Sequence, residues 1–343
     1  MKIRRYLFSE FSTKKKSYNL LLAKLQWLFL KNSAVFTYPV KLTICPGNVC
    51  NLSCALCPTG QNDKNREKGL LEFDLFRKIM DECGPYLFEL FLFNWGEPLL
   101  NTDIFEMVRY AKKFNIEVTI SSNLKHFNEK ICSELIKSGL DELIVTLEGA
   151  SQDTVTRYQI GNNFEDIIAN MKKLVAYRNE KKSEVPVITW RYHVSQYNEH
   201  EIDKAKELSG RIGIDRLSLN KIRCDMGSEL LLPKGDQFKN VEEWLPKNES
   251  YSRYDYTKKE RKKIKSNRCD KLWIESTINW NGSVSPCCAV WPEKYDFGNV
   301  RNASFRTIWN SPKYQEARKI IRRGGDQSTD NICNICASNQ AII

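Results

Sequence analysis

The chain has 343 residues, 41% of them apolar and 28% charged, an ordinary balance for a globular protein of one large domain plus a small one. Lys and Arg outnumber Asp and Glu by 53 to 42, a net charge of +11 that speaks to solubility and association, not to fold. An anionic partner suits that sign: a phosphorylated or nucleotide-linked substrate, an acidic electron donor or a membrane surface. No nucleic-acid-binding motif accompanies the charge, so nucleic acid is not expected as a partner. The unusual feature is the count of twelve cysteines. The N-terminus shows no apolar export segment, so the expected location is cytoplasmic, with peripheral contact at the inner membrane face as an addition. There, clustered cysteines point to metal or redox chemistry, not to disulfides.

Residues 1–39 read as a basic extension. Lys14-Lys15-Lys16 precedes Tyr18 to Leu30, where leucines and aromatics are mixed with Lys24 and Gln26. The stretch is too short and interrupted to span a bilayer and predicts an amphipathic helix. That helix either packs across the next domain or lies on an anionic membrane, with residues 1–32 making the contact. From 40 to 224, strands are predicted at Lys41–Ile44, Leu87–Phe93, Ile116–Ser121, Leu143–Leu147, Val185–Val194 and Ile214–Leu219. Helices are predicted at Phe73–Cys83, Asp103–Phe114, Phe127–Ser138 and Phe164–Glu180; an Asn198/Glu201 capping box opens one more, ending near Gly210. This alternation predicts an α/β fold with a parallel sheet, in too few units for a full eight-stranded barrel. Residues 225–268, polar and charged, read as a linker. In the C-terminal piece, 269–343, Asn281-Gly282 between two strand-like runs predicts a hairpin, and a helix follows over Ser304–Arg322.

The first strand leads into Cys50-Asn51-Leu52-Ser53-Cys54-Ala55-Leu56-Cys57-Pro58. Three thiols in a short polar loop gain little by burial. They can grip a zinc ion with a fourth ligand, or a cubane iron–sulfur cluster with one iron left open. This CxxxCxxC resembles the cluster-binding loop of the radical S-adenosylmethionine (SAM) enzymes, with Leu56 where an aromatic residue is usual. The resemblance covers residues 40–336. It implies a partial (β/α)6 TIM-like barrel with a small C-terminal β-hairpin-plus-helix cluster-binding subdomain. It further implies that Cys50, Cys54 and Cys57 hold a [4Fe–4S] cluster whose open iron SAM chelates.

Asn94-Trp95-Gly96-Glu97-Pro98 resembles the family's GGEP stretch, which holds the SAM amino group; Trp95 replaces the first glycine. Ser122 and Asn123 end the third strand, where relatives place polar groups near the SAM ribose and carboxylate. Arg157 lies two residues before the slot of a SAM-carboxylate arginine, which Gln159 occupies here. The catalytic candidates are Glu148, Arg191, His193 and Arg223. Glu148 ends the fourth strand and Arg223 follows the sixth. Alternation on the fifth puts Arg191 and His193 on one face, opposite Trp190 and Tyr192; which face looks inward stays open.

Of the C-terminal cysteines, four suit a closed zinc site or a fully ligated cluster equally well. Their arrangement resembles the twitch subdomain, a shortened SPASM domain. That implies Cys269, Cys287, Cys333 and Cys336 as ligands of one auxiliary [4Fe–4S] cluster, with Cys288 spare. Cys45, Cys83, Cys132 and Cys224 read as buried structural residues.

In that family a reduced cluster cleaves SAM to a 5′-deoxyadenosyl radical, which takes a hydrogen atom from substrate; a flavodoxin or ferredoxin is the expected electron donor. A closed auxiliary cluster favours net oxidation by carrying an electron away. The cysteine spacing resembles the 2-deoxy-scyllo-inosamine dehydrogenase type. The expectation is therefore an oxidoreductase-like enzyme acting on a small polar, sugar-like or phosphorylated substrate. The alternative is a peptide-modifying maturase, which the short N-terminal extension weighs against. A non-catalytic zinc or nucleic-acid-binding protein is the third reading.

Overall fold

The computed structural model describes residues 3–29, 33–224, 242–262, 269–323 and 329–338. Two helices open the chain, α1 (Ile3–Leu7) and α2 (Lys14–Leu28). Strand β1 (Lys41–Ile44) feeds the cysteine loop, which holds the short β2 (Ser53–Cys54). Then come α3 (Phe73–Cys83), β3 (Glu89–Phe91), α4 (Ile104–Lys112), β4 (Glu117–Ser122), α5 (Glu129–Lys137), β5 (Glu142–Thr146), α6 (Gln152–Tyr158), β6 (Gln159–Ile160), α7 (Phe164–Glu180), β7 (Val187–Val194), α8 (Ile202–Ile212) and β8 (Arg216–Lys221). The helices bury the apolar side that their periodicity marks: Leu75, Phe76, Ile79 and Met80 on α3, and Ile104, Met107, Val108 and Ala111 on α4.

Strands β1, β3, β4, β5, β7 and β8 pair in parallel, with Lys41 opposite Glu89, Glu89 opposite Glu117, Glu142 opposite Val187 and Thr189 opposite Arg216. This is the expected partial barrel. The C-terminal piece is joined to it more closely than the reading of a small subdomain implied. After α9 (Lys271–Ile274), strand β11 (Glu275–Ile278) pairs in parallel with the free edge of β1, Lys41 opposite Glu275. β12 (Ser283–Ser285) and β13 (Gly298–Asn299) follow antiparallel, so one nine-stranded sheet runs β13-β12-β11-β1-β3-β4-β5-β7-β8. The β11–β12 hairpin turns at Gly282, whose φ of +87° lies in the left-handed region.

Three expectations are corrected. The helix read over 304–322 is two: α10 (Phe305–Trp309), capped by Ser304, and α11 (Pro312–Arg323), whose first residue is a proline with no amide to continue the earlier helix. Asn198 and Glu201 form no capping box. Asn198 Nδ2 donates to the Glu148 and His193 carbonyls (3.0 and 2.9 Å), and the Glu201 carboxylate accepts from Ala150 N (2.7 Å). Both residues tie loops together, and α8 runs past Gly210 to Ile212, with Gly213 at φ +85°. The linker reading lies partly outside the described residues, at 225–241 and 263–268. Residues 242–262 pack: Tyr254 and Leu245 are buried together, and β9 (Tyr254–Asp255) pairs with β10 (Glu260–Arg261).

The N-terminal extension covers the opposite end of the barrel from the strand C-termini. Arg5 pairs with Glu89 (2.9 Å), and Tyr6 Oη donates to the same carboxylate (3.1 Å). A second tie holds the cysteine-loop side to the C-terminal hairpin. Buried Arg66 donates to the Trp291 carbonyl (2.8 Å) and the Ser283 hydroxyl (2.9 Å) and pairs with Asp296 (2.8 Å). Removing one partner of such a pair strands a buried charge. Arg66→Ala is therefore expected to lose about 3–5 kcal/mol of stability, measured by urea unfolding of anaerobically purified protein. A loss under about 1 kcal/mol would show the pair to be dispensable.

Candidate functional site

A cleft of about 360 Å³ lies at the C-terminal ends of the strands. The cysteine loop forms one wall. Its course is fixed by backbone contacts: Ala55 N donates to Tyr158 O (2.9 Å), and Cys54 sits opposite Gln159 in the β2–β6 pair. The turn after β3 closes against the same loop. Glu97 N donates to Val49 O (2.8 Å), and Gly96, at φ +82°, lies so near that a Cβ there would stand 2.6 Å from the Gly47 and Val49 carbonyls. Only glycine allows that approach.

Cys50, Cys54 and Cys57 all line the cleft. Burial pushes the Cys50 thiol up to about 11 and raises Cys54 and Cys57; Cys57 and Cys50 as thiolates raise Cys54 further. Three thiolates so placed repel one another, and a cationic centre between them relieves the repulsion, so the donor set fits a metal cluster. Among the described residues, no three Cys, His, Asp or Glu side chains converge closely enough for a single metal ion.

The cysteines at the far edge of the sheet show the same signature. Burial raises Cys269 and Cys287 to about 12 each and raises Cys333 as well. The Cys333 thiolate is further disfavoured by Cys287, Cys269 and Cys336, so these four sit within one another's fields. Cys288 acts on Cys287 and on Lys271, but not on Cys333.

Asn94, Trp95, Gly96, Glu97 and Asn123 line the cleft. With its amide turned so that Nδ2 meets an acceptor, Asn94 donates to Cys288 O (3.1 Å) and accepts from Trp95 Nε1 (2.8 Å). Trp95, in the place of a glycine, packs edge-on against Trp291 (5.2 Å, 75°) and is buried with it and Cys45. Pro98 opens a buried helical turn behind Glu97. The Glu97 carboxylate is itself engaged, accepting from Leu99 N (3.0 Å) and Asn123 N (2.8 Å). Burial raises its pKa, while those amides and the Ser122 hydroxyl pull the other way. Asn123 Nδ2 donates to Asn51 Oδ1 (2.8 Å).

Two expected SAM contacts are corrected. Ser122 is buried away from the cleft, and alternation along β4 presents Ser121 instead. Arg157 is exposed, its guanidinium over the Tyr197 ring at 5.9 Å. Gln159 lines the cleft in its stead, accepting from Glu148 N and donating to Thr146 O (3.0 Å each).

The open question of strand β7 is answered. Trp190 and Tyr192 are buried on the helix side, donating to Leu147 O (2.8 Å) and Asn198 O (2.7 Å). Arg191 and His193 therefore enter the cleft. Glu148 grips His193 twice, accepting from its backbone amide (2.6 Å) and meeting Nδ1 at 2.7 Å. Arg191 lies 5.7 Å from the Phe93 ring centre, and burial lowers its pKa. Arg223 lines the cleft near the end of β8. The sequence reading missed Tyr158, Asn220 and Arg253. The first two had a signal, since Asn220 alternates with Leu219 and Tyr158 precedes Gln159. Arg253 had none, lying in the stretch read as linker. Trp244 of that stretch packs on Tyr158 (5.8 Å) and Tyr197 (5.1 Å) at the rim.

Comparison with known proteins places this architecture. The model of the Radical SAM superfamily matches residues 44–208, and that of the SPASM iron-sulfur cluster-binding domain matches 269–337. The chain is 26% identical over 302 residues to the tungsten-containing aldehyde ferredoxin oxidoreductase cofactor-modifying protein of Pyrococcus furiosus, spanning 80% of this chain and 81% of that one. It is 24% identical over 283 residues to the PqqA peptide cyclase of Granulibacter bethesdensis, 78% and 73% of the two chains. Streptococcus suis SuiB, solved with its precursor peptide SuiA, shares the fold at a TM-score of 0.64 and 17% identity, over 90% of this chain and 73% of that one. The zinc or nucleic-acid reading falls with these matches. Because each family model meets the chain at one of its two thiol sites, in the order that the sheet joins them, the chain belongs to the radical SAM superfamily, carries a C-terminal SPASM domain, and binds SAM with a [4Fe–4S] cluster and an auxiliary iron–sulfur cluster.

Proposed function

We propose that this enzyme is a maturase, oxidising a peptide or a cofactor precursor built from one. The observation that carries the reading is the match, across both halves of the chain, to a cofactor-modifying protein and a peptide cyclase. It displaces the expectation of a small sugar-like substrate. The short N-terminal extension weighs less than it first did, because recognition then falls to the cleft and to the rim of residues 242–262.

In this reading Cys50, Cys54 and Cys57 hold the SAM-binding cluster, and Asn94 to Glu97 with Asn123 surround SAM. Together SAM and cluster supply hydrogen-atom abstraction, given an electron from a flavodoxin- or ferredoxin-class donor. Cys269, Cys287, Cys333 and Cys336 hold the auxiliary cluster. His193 is the base. Glu148 occupies Nδ1, which leaves Nε2 to take a proton from the substrate. A substrate that loses a hydrogen atom and a proton has one electron to give up, for which an auxiliary cluster held by these four cysteines would be the acceptor; the net change would be a two-electron oxidation. Arg191, Arg223 and Arg253 make the cleft receptive to a carboxylate.

Three outcomes test this. Reduced wild-type protein with SAM should release 5′-deoxyadenosine and Cys54→Ala should not. Cys333→Ala should drop iron from about eight to about four per chain yet keep SAM cleavage; full iron content in that variant would overturn the ligand assignment. His193→Gln should cut product formation about 10²–10⁴-fold while 5′-deoxyadenosine release persists, and an equal fall in both would reduce His193 to a structural role. For the substrate class, co-expression with the short reading frames beside the gene, followed by intact-mass spectrometry, should show one peptide losing two hydrogens. Peptides of unchanged mass would return the reading to a small molecule.

A further inference from the structure

Helix α2 is turned the wrong way round for a helix that only packs on a barrel. Its buried side carries Lys16, Asn19 and Gln26 beside Leu20 and Ala23. Each of these side chains makes at least one hydrogen bond. Lys16 Nζ donates to Phe11 O (3.2 Å) and Asn115 O, and Asn19 both donates to Tyr38 O and accepts from Tyr38 N (2.9 Å each). Gln26 Oε1 accepts from the Thr37 hydroxyl (3.0 Å). Directional bonds therefore fix the rotation of the helix, and it cannot roll to hide its other face without stranding buried polar groups.

That other face is apolar. Tyr18, Leu21, Leu25 and Leu28 follow one another at spacings of three and four residues, and Phe29 ends the helix beside them. They are 67%, 45%, 49%, 42% and 73% exposed. Phe8, 85% exposed, comes from the turn before the helix. Single exposed apolar residues need no explanation, but a continuous stripe with a fixed orientation does. The charge around it is one-sided. Residues 3–29 hold Arg4, Arg5, Lys14, Lys15, Lys16 and Lys24 against Glu10 alone. Arg5 and Lys16 are spent inside the protein and Lys15 Nζ lies over the Tyr86 ring, which leaves Arg4, Lys14 and Lys24 about the stripe. Among the described residues no helix is long and apolar enough to cross a membrane.

From this geometry we infer that α2 is a lipid-docking face, set on the surface of an anionic membrane with its leucines and aromatics in the headgroup–acyl boundary and its lysines on the phosphates. Aromatic side chains suit that boundary, and the helix lies in the plane instead of spanning it. The lysine contribution is screened by salt. The barrel cleft is not involved, so the face works whatever the substrate is.

Cosedimentation of the full-length reconstituted enzyme with vesicles tests the inference. It should pellet with vesicles containing phosphatidylglycerol and much less with pure phosphatidylcholine, and the difference should shrink at high salt. Leu21→Glu combined with Leu25→Glu should weaken binding about 100-fold. Lys14→Glu combined with Lys24→Glu should weaken it about 30-fold and remove the salt dependence. Both variants should keep wild-type 5′-deoxyadenosine release, which certifies the fold. No pelleting by the wild type, equal pelleting on both lipids, or unchanged binding by the leucine variant overturns the inference. So does a stable dimer, seen by light scattering, that the leucine variant splits, because the stripe would then be covered by a second copy of the chain.

Discussion

Strand β1 is four residues long, and both halves of the molecule hang on its two edges. One edge takes β3 and through it the rest of the barrel; the other takes β11 and the C-terminal hairpin. The cysteine loop leaves its C-terminal end. A strand paired on both sides in fixed register cannot slide without flipping every side chain to the wrong face. The first thiol site and the hairpin that leads to the second are thereby held in one sheet. Arg66 adds a buried bridge from the cysteine-loop side to the same hairpin, and the Asn94–Cys288 contact adds another. An electron path between two clusters needs this kind of fixed separation.

Cys54 at the first thiol site and Cys333 at the second share one electrostatic situation. Burial disfavours each thiolate, and neighbouring thiolates disfavour it again. A structural cysteine such as Cys45 meets only the first effect and settles as a neutral donor to the Gly47 and Trp95 carbonyls (3.2 and 3.3 Å). Trp95 stands where the first glycine of the usual stretch would be, and its indole packs edge-on against Trp291 of the C-terminal segment.

Local periodicity carried most of the barrel into view, because its helices are amphipathic and its strands are buried runs. The strand-end motifs followed from it. What stayed hidden depended on contacts distant in sequence. Nothing near Thr277 says that β11 will pair with Lys41–Ile44, more than 230 residues earlier. Asn198 and Glu201 have the spacing of a capping box, yet tertiary partners outbid the local one: the carbonyl of Glu148 and the amide of Ala150. Arg157 looked two residues from a cofactor contact, but its side chain is exposed, and it is Tyr158 and Gln159 that line the cleft. On β7 the alternation gave two faces and could not say which looked in; the hydrogen bonds of Trp190 and Tyr192 to the helix side decide it.

The charge of the cleft follows from the same accounting of partners. Among the described residues, two carboxylates reach it, Glu97 and Glu148. Glu97 is taken up by two backbone amides, and Glu148 by the amide and ring of His193. Neither has a free face of negative charge to present. Arg191, Arg223 and Arg253 add positive charge to the same walls, and partial burial makes Arg191 a stronger electrostatic partner than a surface guanidinium. On the proposed reading, a substrate group entering from the rim meets these guanidiniums with His193 beside them. That reading suits a carboxylate-bearing residue whose neighbouring carbon is to lose hydrogen, with the guanidiniums proposed to orient the anion and His193 to take the proton.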